Sequence, residues 1–176
     1  MKTEKVNPRL MLGRDWEGDS PAGWFVTEKL DGVRCYWDGD TAWSKEGNII
    51  ALPNHITKWL PKTALDGEIF AGRGRFEIAR SAVQYNRWTP DVNFYVFDKP
   101  DAPGNWHQRM LNVQCSKHHR VLGIVCTSYA QLMDQLRATQ NAGGEGLMIH
   151  SPLQTRYEPG RTSRLLKVKL VLPLLT

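Results

Sequence analysis

Cysteine is scarce in this chain. Its copies, Cys35, Cys115 and Cys126, are odd in number and widely spaced. No CxxC pair occurs, and His118 and His119 have no cysteine pair to complete a zinc site. A disulfide framework and a zinc finger are therefore excluded, and reduced structural thiols are expected. Long apolar runs are missing too. No stretch of the sequence approaches the roughly 18 apolar residues of a membrane-spanning helix. The apolar end, residues 170–175, is short and broken by Pro173, so no membrane partner is expected. The opening MKTEKVNPRL holds no apolar core of a secretory signal, and a cytoplasmic location is expected. Repeats, low-complexity tracts and internal linkers are also absent, which leaves one domain over residues 1–176.

Charge is present with a bias. Lys and Arg total 23 against 18 Asp and Glu, a net charge of +5. A mild basic excess suits a polyanion such as nucleic acid or ATP. A solvated basic face accounts for it equally well, so charge counts only beside motifs. Seven tryptophans are many for this length. Most belong to packing, and a few are available for stacking on bases.

Pro8, Gly13, Gly18, Pro21 and Gly23 mark residues 1–23 as an irregular arm. Strands are expected at 24–29, 33–37 and 41–44, with Asp38-Gly39 as a turn. A short helix at 55–60 is stopped by Pro61. Residues 64–70 read as a strand interrupted at Asp66-Gly67, and residues 76–85 have helical periodicity. VNFYVFD, residues 92–98, is the clearest strand. A helix at 106–113 and a strand at 122–126 follow. Ser128 caps a helix that runs through Gln140 and stops at Gly143-Gly144. The last strands are 146–150 and 165–169. Strands and helices do not alternate regularly, which favours α+β with largely antiparallel sheets over a doubly wound parallel sheet.

The chemistry begins at Lys29-Leu30-Asp31-Gly32-Val33-Arg34, a lysine at a strand end followed by a turn and an arginine. A lysine becomes a covalent nucleophile when desolvation or nearby cations disfavour its ammonium form. Gly32 permits a tight turn, and Arg34 offers a fork of donors to a phosphate or sugar oxygen. A hairpin corner with a surface Lys-Asp pair is the bland alternative, and further motifs decide against it. LDGEIF at 65–70 puts carboxylates on a strand, FYVFD at 94–98 ends a strand with Phe97 beside an acid, and GEGLM at 144–148 sets Glu145 between glycines. LLKVK at 165–169 places Lys167 and Lys169 on one face, since strand side chains alternate. Each has a dull explanation alone. In this order, each at a strand edge, they compose an ATP site. Phe97 and Met148 would sandwich adenine. Glu68 and Glu145 would hold ribose or a hard cation, Mg²⁺ or Mn²⁺. The two lysines would neutralise phosphate charge as the nucleophile attacks.

These residues resemble the successive motifs of the covalent nucleotidyltransferase superfamily, which holds ATP-dependent DNA ligases, RNA ligases and capping enzymes. EKLDGVRCYWDG, SKEGN, GGEGLMIH, YEPGR and LLKVK are most similar to small bacterial and phage ATP-dependent DNA ligases, over about residues 8–169. The resemblance implies the adenylation domain of those ligases, an ATP-grasp-like fold whose two mainly antiparallel sheets, flanked by helices, enclose an ATP cleft. It implies that Lys29 carries AMP and that Thr27 meets adenine through its backbone. Arg34 would contact the ribose or the nucleic-acid end. Glu68 would bind the ribose and assist a metal, and Glu145 would support the metal. Phe97 and Met148 would cover the two adenine faces, and Lys167 and Lys169 would contact the α-phosphate. AMP would then pass to the 5′-phosphate of nicked double-stranded DNA, and the 3′-hydroxyl would close the strand. A monomer is expected.

Two departures stand out. Where the family often has Ser-Arg, with the Arg gripping the 5′-phosphate, this chain has Ser44-Lys45. Lysine keeps the charge and loses the bidentate fork, so weaker end recognition is expected. The family continues after its fifth motif into an OB-fold domain, and none is expected within residues 1–176; an isolated adenylation domain and a truncated gene product both stay open, with weak or absent self-adenylation, retained action on a nick already carrying AMP, salt-sensitive DNA binding and room for an OB-fold supplied elsewhere as expectations. RNA ligase or capping activity, and a nucleotide- or DNA-binding relic without turnover, are the rival readings. Intact Lys29, Glu68, Glu145, Lys167 and Lys169 favour surviving chemistry.

Overall fold

The computed structural model describes residues 5–170. The apolar end noted in the sequence falls, beyond Leu170, outside the described residues. In chain order the elements are β1 (Met11–Asp15), β2 (Phe25–Lys29), β3 (Val33–Trp37), β4 (Ala42–Ser44), α1 (Asn54–Thr57), β5 (Leu65–Phe70), α2 (Phe76–Tyr85), β6 (Asn93–Asp98), α3 (Trp106–Leu111), β7 (Gly123–Val125), α4 (Tyr129–Asn141), β8 (Gly146–His150) and β9 (Gly160–Val168). They form a five-stranded sheet in the order β1-β9-β8-β2-β7 and a four-stranded sheet in the order β4-β3-β5-β6. Every strand pair is antiparallel except β1 with β9, which run parallel. The mixed α+β class with mainly antiparallel sheets is thus as expected.

Strand alternation gives each sheet an inner and an outer face. In the five-stranded sheet, Val26, Leu147, Ile149 and Val168 pack against Leu132, Met133 and Leu136 of α4. Ser128 starts α4 by accepting the backbone N–H of Gln131, as its type predicts. In the four-stranded sheet, Cys35, Leu65, Ile69, Phe94 and Val96 form a core with Ile56 of α1 and Ala79 and Ala82 of α2. The intervening residues of both sheets, Thr27, Lys29, Met148 and Lys167 on one side and Arg34, Glu68 and Phe97 on the other, line a cleft between them.

The structure departs from the sequence reading at several elements; the short helix expected at 55–60 is α1, Asn54–Thr57, ending well before Pro61. The arm at 1–23 contains a strand, β1. It was illegible because Gly13, Arg14 and Asp15 carry no apolar alternation; backbone pairing with β9 defines it. For the same reason β9 begins five residues earlier than its apolar half, at Gly160 instead of 165. β5 is continuous, and the interruption read at Asp66-Gly67 is a register shift against β6. Helix α3 stops at Leu111, with Asn105 and Gln108 forming a reciprocal capping box at its start.

Candidate active site

Lys29 closes β2 directly opposite Gly146 of β8, which sets it beside Glu145. Its ammonium donates to both Glu145 oxygens at 2.9 Å. Lys169, one residue past β9, donates to the same carboxylate. One acid therefore sits between two cations. Burial opposes ionisation of Glu145, but the hydrogen bonds from Lys169 and Lys29 hold its carboxyl below the ordinary range.

Gly32 lies so close to β5 that a Cβ there would stand 2.1 Å from the Ile69 carbonyl oxygen. That approach lets the Gly32 N–H donate to Glu68 Oε1 at 3.2 Å. Burial pushes the Glu68 carboxyl up to about 7, against the pull of Arg34, Lys29 and the Gly32 N–H.

Arg34 is engaged by the protein. Its Nε and Nη2 donate to the two oxygens of Asp66 at 2.7 Å each, and Nη2 also donates to the Met11 carbonyl at 3.0 Å. Its guanidinium lies 4.9 Å from the centre of the Phe97 ring. Tyr157 completes the cluster. Its hydroxyl donates to Asp66 at 2.6 Å and accepts the Met11 N–H at 2.8 Å. The cluster ties β1, β3 and β5 to the segment before β9.

At the cleft floor, Thr27 Oγ1 and His150 Nε2 are 3.0 Å apart and both residues are buried. Burial, then the Arg109 charge, lower the His150 ring to about 3, so it is neutral at physiological pH. The Trp106 indole N–H donates to the Phe97 carbonyl at 2.6 Å.

Of the residues singled out in the sequence, Lys29, Glu145 and Lys169 are in direct contact. Thr27, Arg34, Lys45, Glu68, Phe97, Met148 and Lys167 line the cleft, whose volume is about 290 Å³. Lys167 also pairs with Asp15 at 3.2 Å. Asp66, His150 and Tyr157 were not assigned a role from sequence. The period of two was the available signal, since Asp66 precedes Glu68 and His150 follows Met148 by two residues. Tyr157 and Met11 gave none, because their contact joins distant segments. Among the described residues no three His, Cys, Asp or Glu side chains group as a metal cage, and no helix is long and apolar enough to cross a membrane.

Lys29, paired with Glu145, which also accepts from Lys169, thus lines a cleft between two sheets whose other wall carries Phe97. The chain is 31% identical over 179 residues to the DNA ligase of Haemophilus influenzae, covering 93% of this chain and 64% of that relative. A solved structure from a structure-function study of Lig E DNA ligases is 33% identical, with a TM-score of 0.79 over 92% of this chain and 68% of that one. The adenylated DNA ligase of Chlorella virus has the same fold at 23% identity, with a TM-score of 0.76 over 93% of this chain and 68% of that one. No protein-family model matches the chain. The chain belongs to the DNA ligase family. It spans 64% of the length of the Haemophilus influenzae relative, a little under two thirds.

Proposed function

We propose that this chain is the adenylation core of an ATP-dependent DNA ligase. The observation that carries the reading is the Lys29–Glu145–Lys169 contact, made by a lysine that lines the cleft. Lys29 Nζ attacks the α-phosphorus of ATP, a nitrogen–phosphorus bond forms, and the bond to pyrophosphate breaks. The Lys29–Glu145 pair opens first, the ammonium gives a proton to water so that a neutral amine attacks, and the proton lost as the new bond forms passes to water or the departing pyrophosphate. Lys169 and Lys167 meet the charge on the α-phosphate. Phe97 and Met148 enclose the base, and Glu68 faces the ribose. AMP then passes to the 5′-phosphate of nicked duplex DNA. Lys45, exposed on the cleft lining, and Arg34, whose Nη1 has no partner among the described residues, meet that end.

Magnesium or manganese fits this donor set. Glu145 and the desolvated Glu68 offer two hard oxygen ligands, and a cation of this kind completes its shell with phosphate oxygens and water. When bound it neutralises phosphate charge.

Intact-mass measurement after incubation with ATP and Mg²⁺ tests the reading. The expected result is a gain of one AMP in the wild type and none in Lys29→Ala. A chain that gains nothing from ATP is then given nicked DNA already carrying a 5′ AMP. Sealing there keeps the ligase reading and moves the defect to ATP activation; failure in both assays overturns it in favour of a binding relic.

A further inference from the structure

A chain of three buried side chains, ending on a backbone carbonyl, runs behind the cleft and joins its two walls. Thr27 on β2 and His150 on β8 share a contact of 3.0 Å. The His150 ring stacks on Trp106 of α3, with centres 4.6 Å apart and an angle of 29°. Trp106 in turn donates to the carbonyl of Phe97 on the opposite sheet, at 2.6 Å. The packing is tight, since a Cβ on Gly123 would stand 2.6 Å from the Trp106 ring and 3.1 Å from the Thr27 methyl carbon. Thr27, His150 and Phe97 all line the cleft.

His150 carries an unmet group in this setting. The residue is 4% exposed, and Nδ1 has no hydrogen-bond partner among the described residues. A neutral imidazole has one donor nitrogen and one acceptor nitrogen, so Thr27 decides which is which. If the Thr27 hydroxyl donated to Nε2, Nδ1 would carry a hydrogen and remain a buried donor without acceptor. Orphaned buried N–H groups are the rarer and costlier case. If Nε2–H donates to Thr27 Oγ1 instead, Nδ1 is a bare lone pair. The Thr27 hydroxyl hydrogen is then left for another acceptor, and Thr27 lines the cleft.

We infer that the Thr27–His150 pair is a base-reading device: His150 holds Thr27 as a hydrogen-bond donor for an unprotonated ring nitrogen of the bound purine. Adenine presents such a nitrogen at N1, whereas guanine carries a hydrogen there. The pair thus favours adenine by one hydrogen bond and rejects guanine by placing donor against donor. Thr27 touches the base, and His150 is a positioning residue that acts through Thr27. The inference rests on the nucleotide-site reading above and assigns its base selectivity to particular atoms.

The test is equilibrium binding, which needs no turnover. AMP and its 1-deaza analogue, which lacks only the N1 acceptor, are titrated by calorimetry into the wild type, Thr27→Val, Thr27→Ser and His150→Phe. The wild type is expected to bind the analogue about tenfold more weakly, the worth of one net hydrogen bond. Thr27→Ser keeps that gap, Thr27→Val abolishes it, and His150→Phe, which retains a ring on Trp106, narrows it. A merely structural effect lowers both affinities together and leaves the ratio unchanged. Equal binding of the two nucleotides by the wild type, or a gap that persists in Thr27→Val, overturns this inference alone. No AMP binding by the wild type overturns the nucleotide site as well.

Discussion

Glu68 and His150 line one cleft and pull stability in opposite directions as pH changes. The Glu68 carboxyl stands at 4.5 when unfolded and about 7 in place, so its contribution is full below 4.5 and is lost as pH rises through 7. His150 goes from 6.5 unfolded to about 3 in place. The folded protein therefore loses stability as pH falls below 6.5, progressively down to about 3. Glu68→Gln removes only the first term. Relative to wild type, that variant is expected to gain on the order of 3 kcal/mol between pH 4.5 and above pH 7. Urea midpoints of both proteins at pH 4 to 8 measure it, and a constant difference across that range rules the assignment out. Tyr157 supports the same cleft from the other end. Tyr157→Phe deprives Asp66 of an O–H donor and the Met11 N–H of its acceptor. A loss of about 1–3 kcal/mol is expected in denaturant titration. The adenylation rate should fall further than stability alone explains, because Asp66 is what holds Arg34 against Phe97.

Between elements, a fully buried polar joint fixes α3 to β6. Arg109 donates to both oxygens of Asp98, at 2.7 and 3.0 Å, and also reaches Gln154 at 2.9 Å. The pair is fully desolvated, with side-chain exposures of 0% and 2%. Burial raises the Asp98 carboxyl against the pull of Arg109. Removing one partner leaves an uncompensated buried charge, so Arg109→Met is expected to cost about 3–5 kcal/mol. Adding Asp98→Leu should recover part of that, because the lone carboxylate is gone; thermal melts of the single and double variants give the comparison. This joint also shows where sequence reasoning ends. α2, α4, β6 and β8 were legible because each buries an apolar face of regular period, and the period fixed which residues point into the cleft. Lys29, Glu68, Glu145 and Phe97 were singled out by their motifs, and of these Lys29, Glu68 and Phe97 line the cleft. β1 and the first half of β9 were not legible, since backbone pairing at a polar sheet edge leaves no side-chain pattern. Asp66, Asp98, Arg109 and Tyr157 were not legible as a network either. Their partners are set by tertiary closure, and in sequence a buried acid looks like a solvated one.

For the molecule as a whole, the useful quantity is how binding responds to salt. The net charge is +5, and Lys29, Arg34, Lys45, Arg161 and Lys167 all face the cleft. Cations that neutralise nucleic-acid phosphates release counterions, so the logarithm of affinity falls linearly with the logarithm of salt, by about 0.9 per phosphate on a duplex. Bare affinity would not separate a DNA-gripping cleft from a generally basic surface, because both weaken in salt. A single-residue change in slope does. Lys45 is exposed and, unlike Lys29 and Lys167, is free of the ion pairs found among the described residues. Lys45→Ala is therefore expected to reduce the slope for nicked duplex DNA by about 1 without moving the melting temperature. Lys45→Arg should keep the slope and tighten binding to a 5′-phosphorylated nick, because a guanidinium grips a phosphate with two donors where an ammonium offers a point charge. Fluorescence anisotropy from 50 to 200 mM salt, on nicks with and without the 5′-phosphate, distinguishes the cases. An Ala variant with an unchanged slope would show that Lys45 contacts no phosphate and that the strand end is held elsewhere on the cleft rim. An Arg variant that tightens equally on both nicks would show a contact to the continuous backbone instead of the end.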